Sequence, residues 1–139
     1  MKVKFDTELL QIMSTFDRIT KVSVKDCFMD EVQGRMVFIV PQGKLWAALG
    51  SKGANIVRLE RALNRKVKIV EFNPDKVEFV KNMAYPCVVK DAREEEGVIT
   101  LVPDDSRTRG VLIGRNASNL RNLEKNVRRF FDVKEIKVV

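Results

Sequence analysis

Two short glycine-containing segments are the residues of this chain best suited to bind an anion. The first is Gly50-Ser51-Lys52-Gly53 and the second is Gly114-Arg115-Asn116-Ala117, and each precedes a stretch with helical periodicity. The start of a helix exposes backbone N–H groups and the positive end of the helix dipole, which favour an anion. Glycine lets a sugar-phosphate chain approach closely because it has no Cβ. Both segments are therefore candidates to contact the backbone of a nucleic acid.

The positive charge of the chain is concentrated around these two segments. Residues 43–68 contain seven Lys and Arg against one Glu, and residues 106–129 repeat that balance, so each window carries +6 while the whole chain carries +7. The rest of the chain is therefore net negative. Clustered cationic groups gain free energy by displacing counterions from phosphates, and this predicts a polyanionic partner with salt-dependent affinity.

The chain lacks residue types that many kinds of enzyme active site require. The chain contains no histidine, so it cannot form a Ser-His-Asp triad, a Cys-His pair or a zinc site with histidine ligands. Cys27 and Cys87 lie far apart, which fits neither a metal site nor a disulfide framework. We expect no enzyme activity, no metal and no cofactor. No apolar run reaches the length of a signal peptide or a membrane span, so we expect a soluble cytoplasmic protein without a membrane partner.

The elements that position the glycine segments occur twice along the chain. With 139 residues, the chain has room for one ordinary domain or two very small ones. Similar segments occur in the same order in both halves of the chain, at a nearly constant distance along the sequence. Residues 24–26 match 89–91, the strand before Pro41 matches the strand before Pro103, 49–56 match 113–120, and Leu59-Glu60 matches Leu123-Glu124. This order predicts a duplicated unit.

Each unit is predicted to contain the elements α-β-β-α-α-β. The first unit has helices at 7–20, 43–49 and 54–64, with strands at 21–27, 35–40 and 66–72. The second has helices at 74–84, 106–113 and 117–131, with strands at 87–92, 98–102 and 133–139. Asn73 is predicted to cap the first helix of the second unit, with Pro74 at its first position.

This arrangement resembles tandem KH domains of type II, in which a helix and two strands precede a Gly-x-x-Gly segment between two helices. The segments 40–59 and 102–120 carry the resemblance, and Val102-Pro103-Asp104-Asp105 followed by Ile113-Gly114-Arg115 is similar to the KH modules of bacterial NusA. The chain as a whole resembles the family of archaeal NusA-like transcription termination and antitermination factors. The resemblance implies an α+β fold of two KH domains, 1–72 and 73–139, with the helices of each on one face of a three-stranded sheet.

The resemblance also implies a function. KH domains hold about four single-stranded nucleotides beside the glycine loop. We therefore expect a monomeric protein that binds single-stranded RNA in transcription termination or antitermination, with RNA polymerase or ribosomal proteins as candidate partners. The glycine loops would contact the RNA backbone, and Ile56 and Leu120 would lie under the bases. Ala117 departs from the motif, so we expect weaker binding there. The implied RNA-binding residues are Gly50, Ser51, Lys52, Gly53, Asn55, Ile56, Arg58, Gly114, Arg115, Asn116, Ala117, Asn119, Leu120 and Arg121.

Other interpretations of the same residues remain open. The protein could be an RNA-binding assembly adaptor in ribosome biogenesis or translation, which holds a basic protein through its acidic hairpin turns. It could also be a metal-dependent nuclease built from Asp104, Asp105 and Glu94–Glu96, although Asp104-Asp105-Ser106 is explained better as a helix cap. Trp46 is interpreted as a core anchor. With one Trp and one Tyr in the chain, we expect no base stacking of the kind seen in RRM domains.

Overall fold

The computed structural model describes residues 7–139, which divide into two compact units with the boundary between Phe72 and Asn73. The first unit contains α1 (Thr7–Thr20), β1 (Asp26–Asp30), β2 (Arg35–Val40), α2 (Leu45–Leu49), a 3-10 turn (Ser51–Gly53), α3 (Ala54–Leu63) and β3 (Lys66–Glu71). The second contains α4 (Lys76–Ala84), β4 (Val89–Glu95), β5 (Val98–Pro103), α5 (Ser106–Ile113), a 3-10 turn (Arg115–Ala117), α6 (Ser118–Val127) and β6 (Glu135–Val138). The predicted α+β class is confirmed.

The described residues form two three-stranded sheets of the same topology. In the first, β2 is central and pairs antiparallel with β1 and parallel with β3. In the second, β5 is central, antiparallel to β4 and parallel to β6. A parallel pair needs a long crossover, because its two strands run in the same direction. In both units this crossover is a helix, a glycine turn and a second helix, and such a unit fits a KH-like fold.

The core of the first unit joins its three helices to one face of the sheet. The Phe16 ring of α1 stacks on the Phe38 ring of β2, with ring centroids 4.5 Å apart. Ala48 of α2 and Leu59 of α3 are fully buried in the same cluster. Burial of a large apolar side chain stabilises a fold by about 1.5–3 kcal/mol. These contacts therefore fix α2 and α3, and with them the glycine turn between the two helices.

In the second unit, α4 packs against two phenylalanines that lie just after the end of α6. The Phe79 ring lies 5.1 Å from the Phe130 ring and 5.5 Å from the Phe131 ring. Strand β5 alternates between buried and half-buried residues, as expected for a strand with one core face. Leu120, Leu123 and Val127 form the buried face of α6.

The predicted position of the first strand was wrong. The sequence favoured 21–27, whereas β1 begins at Asp26 and continues to Asp30. Side chains of α1 hold the backbone of the intervening segment: the Val22 N–H donates to Thr20 Oγ1 (3.1 Å) and the Val24 N–H donates to Asp17 Oδ1 (2.9 Å). Side-chain hydrogen bonds of this kind compete with the ladder of a sheet.

The predicted start of the second unit was also wrong in detail. Asp75, not Asn73, caps α4, and its side chain accepts from the N–H groups of Val77 (2.9 Å) and Glu78 (3.3 Å). Pro74 consequently lies outside the helix. Strand β4 reaches Glu95 and leaves only two residues for the hairpin turn, and α6 ends at Val127 rather than at 131. Among residues 7–139, no helix is long and apolar enough to span a membrane.

Candidate functional site

The two glycine turns have the same backbone conformation. Gly50 and Gly114 have φ/ψ of 75°/179° and 72°/176°. The third residues of the turns, Lys52 and Asn116, are left-handed at 54°/31° and 55°/32°. Gly53 (69°/21°) and Ala117 (60°/23°) are left-handed as well. The second turn therefore keeps the shape of the first, although alanine stands in place of its last glycine.

The first residue of each turn has to be glycine for two reasons. A positive φ with ψ near 180° is a region that essentially only glycine occupies. In addition, a Cβ on Gly50 would lie 2.8 Å from Nδ2 of Asn55, and a Cβ on Gly114 would lie 2.7 Å from Cγ and Nδ2 of Asn119. The chain thus turns sharply against an asparagine side chain in both units.

These two asparagines hold the turn in place. The Asn55 amide donates to the Ala48 carbonyl (3.0 Å), and the Asn119 amide donates to the Val111 carbonyl (2.8 Å). Asn55 is only 6% exposed. Each side chain therefore ties the helix after the turn to the helix before it. The sequence carried a signal for this role, because each asparagine follows the first glycine of its turn by the same five positions.

The tips of both turns are open to solvent. Ser51 and Lys52 in the first turn, and Arg115 and Asn116 in the second, are exposed. Within the described chain, no side chain caps either 3-10 turn or the starts of α3 and α6. By contrast, α4 and α5 are capped by aspartates. The uncapped starts of α3 and α6 therefore both follow a basic turn, where an anion could take the place of the cap.

The basic residues around the first turn are largely unpaired. Among residues 7–139, no ion pair is formed by Lys44, Lys52, Arg58 or Arg61, and all four are exposed. The Arg58 guanidinium lies beside Asn55, with Nη1 3.3 Å from Oδ1. The first unit therefore presents free positive charge next to its turn.

In the second unit, some of the basic side chains make contacts that stabilise the fold. Arg121 Nη1 lies 2.8 Å from Glu124 Oε2, and the buried Glu124 carboxylate also accepts from the Ile136 N–H at 2.7 Å. The Arg128 guanidinium donates to the Val133 and Lys134 carbonyls after α6. Four exposed basic residues that flank the second turn form no ion pair within residues 7–139: Arg107, Arg109, Arg115 and Lys125.

The apolar residues near the turns lie at different depths. Ile56 is half-buried against the core of the first unit, and Leu120 is buried in the second. Trp46 is 82% exposed, so its interpretation as a core anchor was wrong. The inner side of α2 is filled by Ala48, with Leu45 and Leu49 packed against the same cluster. A five-residue helix has no room for a further inward side chain.

Two of the acidic residues that could have formed a nuclease site, Asp105 and Glu94, have structural partners. Asp105 caps α5, as predicted, and its Oδ1 accepts from the Thr108 N–H at 2.7 Å. Hydrogen bonds from the Thr108 backbone, followed by the Thr108 side chain, lower the pKa of the Asp105 carboxyl. Glu94 pairs with Lys76 at 2.9 Å. No group of three His, Cys, Asp or Glu side chains that could hold a metal is found among residues 7–139.

Although no family model matches the chain, its sequence is similar to those of several named proteins. A protein of Halococcus morrhuae named "Probable transcription termination protein NusA" is 30% identical over 141 residues, which cover 99% of both chains. Proteins with the same name are 29% identical in Halobacterium salinarum (99% of each chain) and 28% identical in Methanocaldococcus jannaschii (99% of this chain and 76% of the relative).

The fold of the whole chain also has a solved counterpart. The crystal structure of APE1850 superposes with a TM-score of 0.72 at 26% sequence identity, over 94% of this chain and 96% of that one. The resemblance of the chain to archaeal NusA-like factors is thus confirmed over nearly its whole length. This chain belongs to the family of archaeal proteins named probable transcription termination protein NusA.

Proposed function

We propose that this protein is a transcription termination or antitermination factor that binds single-stranded RNA through two tandem KH domains of type II, 1–72 and 73–139. The names of its relatives support a role in transcription rather than in ribosome assembly. Its site of action would then be the transcript, with RNA polymerase as the candidate protein partner in the cytoplasm.

One observation carries the proposal for RNA. Two turns of the same geometry each precede a helix whose first residues have no side-chain cap, and the tips of both turns are exposed and basic. Backbone N–H groups and the helix dipole at such a start favour a phosphate. The left-handed residues of each turn place successive peptide groups around the tip, a geometry that suits anions. The exposed N–H groups and basic side chains of the turns support binding as the function.

The residues expected from the sequence divide into two roles in this proposal. Ser51, Lys52, Arg115 and Asn116 contact the RNA directly from the tips of the turns. Gly50, Gly114, Asn55 and Asn119 set the shape of the turns. Arg58 adds positive charge beside the first turn, whereas Arg121 is partly neutralised by Glu124. Gly53 allows the RNA backbone to approach closely, whereas the methyl group of Ala117 restricts this approach in the second unit. Ile56 and Leu120 support the bases from below.

Charge reversal at the tips tests the proposal. The variants are Ser51→Asp with Lys52→Asp, and Arg115→Asp with Asn116→Asp, measured by fluorescence anisotropy with a labelled single-stranded RNA. Charge-assisted hydrogen bonds contribute about 1.5–3 kcal/mol, so each double variant should bind about tenfold to a hundredfold more weakly. Circular dichroism should show unchanged folding.

A matched control has the same change of charge elsewhere in the first unit. Lys21→Asp with Ser23→Asp alters two exposed residues that precede β1, and Lys21 has a positive φ that aspartate tolerates. This control should keep nearly all of the affinity. If folded tip variants bind RNA as tightly as the wild type, or if the control loses as much as they do, the glycine turns are not the binding site.

A further inference from the structure

We propose that Trp46 is a stacking platform for one base of the RNA strand held by the first glycine turn. This inference rests on the proposed function and adds a sequence-tolerant contact to it. It also assigns a role to the most exposed large apolar side chain of the described structure.

The exposure of Trp46 is a property of a firmly packed helix. Ala48, two residues further along and therefore on nearly the opposite side of the helix, is completely buried, and Leu45 and Leu49 pack against the same core. Among residues 7–139, the indole of Trp46 has no ring contact, cation–π contact or hydrogen bond. Leaving so large an aromatic surface in water forgoes the free energy that its burial would provide. A ligand that covers the ring would recover it.

The position of Trp46 connects it to the first turn. The N–H of Gly50 donates to the Trp46 carbonyl at 3.1 Å, so the indole stands one helical turn before the first glycine. Residues four apart lie on the same side of a helix. With a rise of about 1.5 Å per residue, this separation is about 6 Å along the axis. A base next to a phosphate bound at the turn is within reach of the ring.

The surroundings of the ring favour a nucleic acid over a protein partner. Gln42, Gly43 and Lys44 before α2 are exposed, and the window from 43 to 68 carries +6. A protein that docks through apolar contacts needs a contiguous apolar patch of several hundred Å². A single aromatic ring within a positively charged surface is instead the combination that binds single strands, since every base has a face that can stack.

The second unit lacks this platform. Gly110 occupies the place four residues before Gly114, where the first unit has Trp46 before Gly50. The two otherwise similar turns should therefore differ in their contacts with bases. We infer that stacking from the helix before the turn is confined to the first unit.

Trp46 is the only tryptophan of the chain, so its fluorescence reports directly on this contact. The full-length protein is titrated with a single-stranded oligouridine and with an abasic strand of equal length, while anisotropy of a dye on the strand reports binding independently. We expect the oligouridine to quench the fluorescence and the abasic strand to leave it nearly unchanged. Trp46→Ala should weaken oligouridine binding about five- to a hundredfold, and Trp46→Phe should restore most of the affinity.

Leu10→Ala is the matched control, because Leu10 is another strongly exposed apolar residue of the first unit. Its affinity should equal that of the wild type. If the strand binds by anisotropy while the fluorescence stays constant and Trp46→Ala binds normally, the stacking inference is wrong and the proposed function stands. The exposed Trp46 ring would then be a candidate contact for a protein partner. If no strand binds by anisotropy, the proposed function fails and the inference fails with it.

Discussion

Glycines that look equivalent in the sequence have different tasks in the turns. Gly50 and Gly114 occupy a conformation restricted to glycine and touch an asparagine side chain. Gly53 is left-handed but faces open space, and Ala117 adopts the same conformation in the second unit. A left-handed alanine costs about 1–2 kcal/mol, which a packed fold can tolerate. The departure at Ala117 therefore changes the surface of the turn and not its shape.

This difference predicts the effect of alanine at each glycine. Gly50→Ala should destabilise the protein by about 3 kcal/mol, because the strained conformation and the collision with Asn55 add together. Gly53→Ala is the matched variant and should cost about 1 kcal/mol, because only the left-handed conformation is strained. Urea unfolding measures both. Equal losses would contradict the geometry of the turn.

Ala117→Gly tests whether the methyl group holds the RNA backbone away from the second turn. The substitution is made in the Ser51→Asp, Lys52→Asp background, so that binding reports mainly on the second unit. We expect an affinity about fivefold higher, equivalent to about 1 kcal/mol, the contribution of one hydrogen bond. An unchanged or lower affinity would show that Ala117 does not limit the approach of the phosphate.

Residue types predicted the turns well and the direction of single side chains poorly. The glycine spacing and the asparagine that follows it are visible in the sequence. The exposure of Trp46 is not, because α2 has an inner and an outer side and composition alone does not say which side an aromatic ring takes. Ala48 and two leucines fill the inner side, a result of three-dimensional packing.

At the scale of elements, a repeated glutamate connects the long helix of each unit to the last strand. Glu60 Oε2 accepts from the Val67 N–H at 3.0 Å, and Glu124 Oε2 accepts from the Ile136 N–H at 2.7 Å. Each acceptor bonds the second residue of the strand, β3 or β6. The Leu-Glu pairs noticed as part of the repeat are therefore structural, a role that sequence reasoning missed.

Removing the glutamate should loosen the last strand of the second unit. Glu124→Ala leaves the buried Ile136 N–H without its acceptor, which should cost about 2 kcal/mol in the free energy of unfolding. Glu124→Gln keeps an acceptor oxygen and should cost less. Urea unfolding gives the two losses, and hydrogen exchange at the Ile136 amide shows whether β6 opens. If the two variants are equally stable, the hydrogen bond to the strand contributes little.

The sequence located most elements but misplaced several boundaries. The helices around each turn were recovered because their apolar periodicity matches the core that they bury. The start of β1 and the cap of α4 were missed because both depend on local hydrogen bonds. Asp17 and Thr20 bind the backbone before β1, and Asp75 competes successfully with Asn73 for the helix start. Such competition is not visible in hydrophobic patterns.

At the scale of the whole molecule, the concentration of charge predicts how binding responds to salt. Eight exposed basic residues flank the two turns without an ion pair among the described residues. If about four of them contact phosphates, the logarithm of affinity should fall with the logarithm of salt concentration with a slope of about −3. Each tip variant should reduce the slope, whereas Lys21→Asp with Ser23→Asp should not. A slope near zero would show that phosphate contacts do not drive binding.

The duplication was recognisable in the sequence because the same order of signals occurs in both halves. The structure adds that the two turns agree in backbone angles although two of their four residues differ in charge and their last residue is not the same. The sequence alone could not distinguish the residues proposed to contact RNA from those that hold the turn in shape, because the two kinds of residue are neighbours in the same turn.

The most direct test of the central claim is an amide NMR titration of the full-length protein with a short single-stranded RNA. If the turns hold the RNA backbone, the amide resonances of Ser51, Lys52 and Gly53, and of Arg115, Asn116 and Ala117, should shift most and in proportion to occupancy. Shifts confined to other surfaces, with both turns unaffected at saturation, would contradict the account.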